Sequence, residues 1–357
     1  MWSKMEVHQI LPTISPGDAI GNEVLLIREI LKSWGYESEI FAQNIHESID
    51  CANYYLEHKK RSSKNNVLIY HLSIGSDVSK YVMNAPDRKI LLYHNITPPH
   101  FFYGINDNLA LILGHGRNEL KMLAEKTDVA LGDSEYNRLE LEENGYKETG
   151  VLPLLIDFSK YDIHNTKIID KYDDNWTNIL FVGRISPNKK QEDIIKCFYY
   201  YKAINPNSRL FLIGGFNGCE RYYNYLENLI NDLGIKDVYL LGTVDFADLI
   251  AYYMLADIFL CMSEHEGFNV PLIESMHFGI PIIAYNSTAI PYTMGEAGVL
   301  VNRKCYPEIA EMINLIVTDE NLRDKIIKKQ NIRLNDFSYE KAMDRFKEQL
   351  NKVIHKC

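Results

Sequence analysis

The chain has 357 residues, 46% of them apolar and 24% charged, with a net charge of −10. That length exceeds one ordinary core and fits two domains, and the composition is that of a globular rather than a disordered protein. The acidic balance removes the clustered Lys and Arg that nucleic-acid binding needs, and no segment approaches the roughly 20 apolar residues that cross a bilayer.

The opening MWSKMEVHQI lacks the apolar stretch of a signal peptide. The cysteines, Cys51, Cys197, Cys219, Cys261, Cys305 and Cys357, form no C-x-x-C pair and have no His at zinc spacing, so neither a structural metal nor a disulfide framework is expected. Cys197 and Cys261 lie among apolar residues and read as core thiols. A reducing cytoplasm is the expected compartment.

Short apolar runs alternate with longer helical patterns, which predicts βα units, parallel sheets and an α/β fold. Strands are expected at Val7 to Leu11, Glu39 to Ala42, Val67 to His71, Ile90 to His94, Val129 to Leu131 and Gly150 to Leu152. After the first, PTISPGDAIGNE forms a strand-to-helix turn with Gly17 and Gly21 but no G-x-G-x-x-G, so a dinucleotide fingerprint is absent. Gly17 allows close backbone approach, and Asp18 either caps the following helix or meets a substrate hydroxyl. That helix, Ile20 to Trp34, carries Val24, Ile27, Ile30 and Leu31 on one face and stops at Gly35.

The cluster Lys59, Lys60, Arg61 and Lys64 reads as a solvated loop. His71 ends a strand and reads as a satisfied buried histidine. His94 ends the strand KILLYHN, ahead of Pro98 and Pro99, at the carboxyl end where open α/β sheets place ligands. Farther on, GHGRNE interrupts a helical pattern, and its His115 and Arg117 are candidates for the acceptor side.

The segment Asp157 to Asn178 is polar without a convincing period, which puts a hinge near 160–175. The expected domains are residues 1–160, 175–335 and a terminal helix within 336–357. The second strand series is Ile179 to Gly183, Leu210 to Gly214, Val238 to Gly242, Ile258 to Cys261 and Ile280 to Tyr285. After Asn302 the chain turns helical, and Ser338 to Ile354 places Ala342, Phe346, Leu350 and Val353 on one side.

Arg184 and Lys189 lie on the turn LFVGRISPNKK, where cations suit a leaving diphosphate. In ADIFLCMSEHEGFNVPLIESMHFG, a buried strand, a loop and a helix opening at Pro271 and ending at Gly279 follow in order. A free helix N-terminus there suits a phosphate. Glu266 and Glu274 would repel that phosphate and are better used as acceptors for hydroxyls on a ribose and a sugar.

Glu266 and Glu274, seven residues apart with Gly267, Phe268, Pro271 and Gly279, resemble the Glu-x7-Glu signature of retaining GT-B glycosyltransferases, family 4. The likeness spans nearly the whole chain and is strongest from Ile179 to Val301. It implies two Rossmann-like domains facing across a cleft, with the last helix crossing back onto the first. It assigns Glu266 to the donor sugar, Glu274 to the ribose, the amides of Phe268, Asn269 and Val270 to the diphosphate, and Arg184 and Lys189 to a diphosphate clamp. Gly214 and Gly215 would pass under the nucleotide, Val244 would meet the base, and Gly17 would approach the donor phosphates. His94 would contact the donor sugar near the reacting carbon, through side chain and backbone. Asp18, Asn22, His115 and Arg117 fall on the acceptor side.

The implied activity is retaining transfer of a hexosyl unit from a UDP- or GDP-hexose to a glycan or lipid-linked saccharide, in cell-surface polysaccharide synthesis. No cofactor is implied. No Asp-x-Asp occurs in the chain, so metal-independent transfer is expected. Peripheral association with a membrane is compatible with such acceptors, whereas nucleic acid is not a partner. Tyr292 replaces the Glu that many relatives carry, which bears on donor choice. A nucleotide-sugar epimerase of the same architecture and a catalytically silent nucleotide-sugar-binding subunit are the alternatives, although the latter would be expected to lose some of His94, Arg184, Lys189 and Glu266. A hydrolase using the two glutamates would leave the Arg184 and Lys189 clamp without a purpose.

Overall fold

In the computed structural model, which describes residues 5–355, the apolar runs form two sheets whose strands all pair in parallel. Packing density separates two units. The first comprises the described residues up to His100, Asn108–Ile156 and those from Phe337 onward; the second comprises Phe101–Asp107 and Asp157–Asp336.

The first unit holds β1 Val7–Ile14, β2 Ile40–Ile45, β3 Ala52–Tyr54, β4 Val67–Leu72, β5 Arg88–Tyr93, β6 Val129–Gly132 and β7 Thr149–Val151, in the order β3-β2-β1-β4-β5-β6-β7. The second holds β8 Thr177–Val182, β9 Ser208–Ile213, β10 Val238–Gly242, β11 Ile258–Cys261, β12 Ile282–Tyr285 and β13 Val299–Val301, in the order β10-β9-β8-β11-β12-β13. Strand order reverses at β1/β4 and at β8/β11. Loops leaving the carboxyl ends diverge at such a switch point and open a crevice.

Most expected strands form within a residue or two of their sequence limits. The three-residue edge strands β3 and β13 were not expected. The polar stretch after Asp157 also contains a helix, Thr166–Tyr172, capped by Asn165, whose carboxamide oxygen accepts from the Lys167 amide at 3.0 Å. Only Tyr172 of this helix is buried, packed against Phe211 and Tyr252. One apolar anchor gives no periodicity, so composition concealed the helix.

The segment GHGRNE does not interrupt its helix, which runs unbroken over Asp107–Leu123. Its Gly116 lies against Gly75, where an added Cβ would come within 2.5 Å of the Gly75 nitrogen. The glycine is a packing requirement rather than a break.

The helix Ala19–Ser33 buries Val24, Ile27, Ile30 and Leu31 as its periodicity predicts. The last helix, Tyr339–Ile354, buries Ala342, Phe346, Leu350 and Val353 in one cluster with Val7, Ile69, Ile90 and Leu131. It therefore returns to the first unit. Phe346 stacks on Trp34 at 5.7 Å, and the Arg88 guanidinium donates to the carbonyls of Val353 and Ile354 at 3.1 and 2.7 Å. Those are terminal carbonyls without helical partners, and a cation at a helix C-terminus also meets the negative end of the dipole. Among the described residues no helix is long and apolar enough to cross a membrane.

Phe346 is fully buried. Phe346→Ala should lower the unfolding free energy of the first unit by about 3–5 kcal/mol in a denaturant titration. A loss below about 1 kcal/mol would mean that the last helix contributes little to that core.

Candidate active site

β8 and β11 are neighbours, with Ile179 opposite Ile258 and Leu180 opposite Phe259. Their outgoing loops therefore start side by side. The β8 loop carries Arg184 and Lys189; the β11 loop carries Glu266. The Lys189 Nζ lies 2.5 Å from Glu266 Oε2, the lysine side chain 21% exposed and the glutamate 6%. This pair is the contact at the centre of the site.

Both loops are pinned. The Asn188 carboxamide donates to the His265 carbonyl at 3.1 Å, and the Glu264 amide donates to the Asn188 carbonyl at 2.8 Å. From the β12 side, Ser287 Oγ donates to the Ser263 carbonyl at 2.6 Å and the Glu266 amide donates to Thr288 Oγ1 at 2.9 Å. Thr293 Oγ1 donates to the Phe268 carbonyl at 2.6 Å. Asn269 precedes the helix Val270–His277 with φ +74°, a left-handed conformation that Asn tolerates better than most residues, and Pro271 falls in the first turn as expected. The buried Phe268 and the half-buried Asn269 and Val270 thus form a fixed approach to a helix N-terminus.

Arg184 is exposed, and its guanidinium donates to the Asn217 carbonyl at 2.6 Å in the loop after β9. Gly214 opens that loop. A Cβ there would stand 2.0 Å from the Gly183 carbonyl oxygen, so only glycine lets the β8 and β9 loops approach this closely. Gly215 faces Thr243, beside the half-buried Val244 in the loop after β10. Arg184, Lys189, Gly214, Gly215, Val244 and Glu266 all follow carboxyl ends of the second sheet.

Glu274 is buried in the helix Val270–His277, and both its oxygens are engaged: Tyr253 Oη donates to Oε2 at 2.6 Å and Tyr161 Oη to Oε1 at 2.7 Å. Burial raises its pKa, and the two tyrosine bonds oppose that rise without cancelling it. Each carboxylate oxygen retains a second acceptor position. The two phenols fix the carboxylate, and neither was legible in the sequence.

In the first unit, the exposed Asp18 caps its helix, accepting from the Gly21 amide at 3.2 Å. Gly17 has φ +75° in an exposed turn, and Asn22 and His115 are exposed. Arg117 donates to the Ile96 carbonyl at 2.7 Å and pairs with Glu140. The Asn22 amide donates to the Asp18 carbonyl at 2.9 Å, which joins these two candidates in the first turn of the helix.

His94 follows β5, and its ring is only 1% exposed although the residue as a whole is not buried, so solvent reaches its main chain. Nδ1 lies 3.0 Å from Asp133 Oδ2, and Nε2 lies 3.0 Å from His71 Nδ1. His71 Nε2 is in turn 3.0 Å from Gln9 Oε1. Glu23 is buried beside the pair, its Oε2 3.8 Å from His94 Nε2 and without a hydrogen-bond partner. Burial alone would deprotonate His94, but Asp133, Glu23 and Asp18 outweigh it and push the ring up to about 9. Glu23 and Asp133 were missed in the sequence, yet Glu23 left a signal: it lies one turn before Ile27, a carboxylate on the apolar stripe of an amphipathic helix.

Residues 165–333 match the family model described as Glycosyl transferases group 1. Over 181 residues the chain is 30% identical to the capsular polysaccharide biosynthesis glycosyltransferase CapM of Staphylococcus aureus, covering 48% of this chain and 45% of that protein. It is 25% identical over 179 residues to O-antigen chain mannosyltransferase B of Escherichia coli, with the same coverage of each. The chain thus spans about half the length of the curated relatives it matches. Among solved structures, sucrose-phosphate synthase from Thermosynechococcus elongatus superposes with a TM-score of 0.77 at 16% identity, covering 99% of this chain and 100% of that one. HepE from Anabaena in complex with UDP-glucose superposes with a TM-score of 0.75 at 17% identity, covering 98% and 100%. At such identities the superpositions speak for the fold, and the family match speaks for the second unit. The second unit is thus similar to glycosyl transferases group 1 domains, and the fold of two Rossmann-like units is that of the GT-B structures on which the chain superposes.

Proposed function

We propose that the protein is a retaining, metal-independent glycosyltransferase that moves a hexosyl unit from a nucleoside diphosphate sugar to a glycan or lipid-linked saccharide in cell-surface polysaccharide synthesis. The observation that carries this reading is the Lys189–Glu266 pair at the β8/β11 switch point, inside the segment that matches the family. In the free protein each charge satisfies the other. A diphosphate offers Lys189 a more highly charged partner, which releases the Glu266 carboxylate to accept from a sugar hydroxyl.

Arg184 and the amides at the start of the helix Val270–His277 complete the anion site. Negative charge grows on the β-phosphate as the sugar departs, so cations fixed at that point stabilise the transition state more than the ground state. The acceptor oxygen forms its bond to the anomeric carbon on the face that the phosphate leaves, and the departing phosphate oxygen takes the acceptor proton. No protein nucleophile is required. Glu274, held by Tyr161 and Tyr253, receives the ribose hydroxyls, and His94 contributes its main chain and its charge rather than a free ring nitrogen.

The relatives' names bracket the substrates without choosing among them. One from Corynebacterium glutamicum is described as GDP-mannose-dependent, and HepE was solved with UDP-glucose. Thermal unfolding with a panel of UDP-, GDP- and ADP-hexoses should single out one donor. At 100 times its Kd that donor adds about 2.7 kcal/mol of stability, and no shift with any of them would contradict the proposal.

Arg184 is exposed and holds only loop residues near the carboxyl end of β9, so Arg184→Ala should leave folding intact while lowering kcat roughly 10²–10³-fold. Glu266→Gln should cripple transfer comparably. Unchanged turnover in either variant removes that residue from the site. Activity should also survive exhaustive chelation, and its loss on chelation with recovery on adding a divalent ion would overturn the metal-independent part.

A further inference from the structure

The buried chain Asp133–His94–His71–Gln9 contains three donor–acceptor gaps, each 3.0 Å long. Its two ends accept only. The Gln9 amide nitrogen is committed to the Val24 carbonyl at 2.9 Å, which turns Oε1 toward His71. Asp133 presents a carboxylate oxygen to His94. Each gap needs one proton, and two neutral imidazoles bring only two. With both outer gaps filled, the lone pairs of His94 Nε2 and His71 Nδ1 would face each other in the middle one.

The two rings are parallel within 5°, with centroids 5.2 Å apart and the facing nitrogens 3.0 Å apart, so they meet edge to edge in one plane. A proton fits that gap. A metal ion held by both nitrogens would instead need their lone pairs turned toward a common third point, whereas in these coplanar rings they point at each other. The uncompensated Glu23 Oε2 lies 3.8 Å from His94 Nε2 and 4.0 Å from His71 Nδ1; burial raises its carboxyl to about 8 against the opposing pull of His94, so Asp133 is the first countercharge to a third proton and Glu23 adds to it in part.

We infer that this chain of side chains holds one proton more than two neutral histidines carry, locking His94 as an imidazolium at the carboxyl end of β5, with Glu23, His71 and Asp133 as positioning residues for the transfer reaction. His94 then acts as a fixed positive charge and not as a general base. The groups that face it are Asp18, the N-cap of the helix Ala19–Ser33, Glu23 from within that helix, His71 from β4 and Asp133 following β6, and Gln9 from β1 closes the chain through His71. Only the activity arm of the test rests on the transferase reading.

Nitrogen-15 NMR of the full chain, labelled in histidine, at pH 7 should show both His94 nitrogens protonated and His71 as the neutral Nε2–H tautomer, with the shared proton released only on the alkaline side. Glu23→Gln, which removes a facing charge, should move that release to lower pH by about one unit or more. Asp133→Asn can turn an amide N–H toward Nδ1. His94 then becomes a neutral Nε2–H tautomer, all three gaps are filled, and the alkaline transition disappears. With the best donor, the alkaline fall in kcat/KM should track the same proton: present in the wild type, earlier in Glu23→Gln, absent in Asp133→Asn. A merely structural role would lower the rate and leave the pH profile unmoved. A neutral His94 at pH 7, pH profiles identical in all three proteins, or a stoichiometric divalent ion copurifying at this cluster would overturn the inference. If no form transfers sugar, the transferase reading fails separately and the NMR result alone decides the proton.

Discussion

Reversal of strand order at β8/β11 is the constraint from which the rest of the second unit follows. Two parallel strands that neighbour each other, with connections leading away on opposite sides, must leave their outgoing loops adjacent at the carboxyl end. That places Lys189 beside Glu266 although 77 residues separate them in sequence. The ion pair formed there is only partly exposed, so solvent screens it less than a surface pair, and its value lies in orientation as much as in energy. A buried carboxylate and a lysine with one open side make a pair that an incoming anion can rearrange.

Polar groups around this contact are used to hold backbone, not to react. Asn188, Ser287, Thr288 and Thr293 each meet a main-chain group of the loop that carries Glu266, and Gly183 and Gly214 allow the neighbouring loops to touch. Such support is what permits charged groups to act without reorganising. The first unit solves a different problem. There the charged groups are packed inward, His94 between Asp133 and His71, so what it presents is a field and a main chain.

Much of this was readable from residues alone. The strand Ile258–Cys261, the loop after it and the helix carrying Pro271 showed in the apolar run and the turn chemistry, and the last helix showed in the spacing of Ala342, Phe346, Leu350 and Val353. Three kinds of information were not readable. The edge strands β3 and β13 were missed, although the equally short β7 was read; a helix anchored by Tyr172 alone looks like a linker; and GHGRNE looks like a break until Gly75 appears opposite Gly116. The partners of known candidates were hidden too, because Tyr161 and Tyr253 reach Glu274 across 113 and 21 residues, and only folding brings Asp133 to His94. Glu23 was missed as well, although a carboxylate on the apolar face of a helix is a signal that the sequence held.

The central claim is that the ion pair at the switch point opens to receive a nucleoside diphosphate sugar. A crystal structure with the preferred nucleotide-hexose, or with a non-transferable analogue of it, tests this most directly. The account predicts diphosphate oxygens within hydrogen-bond reach of Lys189 and Arg184, and a sugar hydroxyl on Glu266 in place of the Lys189 ammonium. A ligand bound elsewhere, or bound here with the Lys189–Glu266 contact intact and no phosphate on either cation, would contradict it.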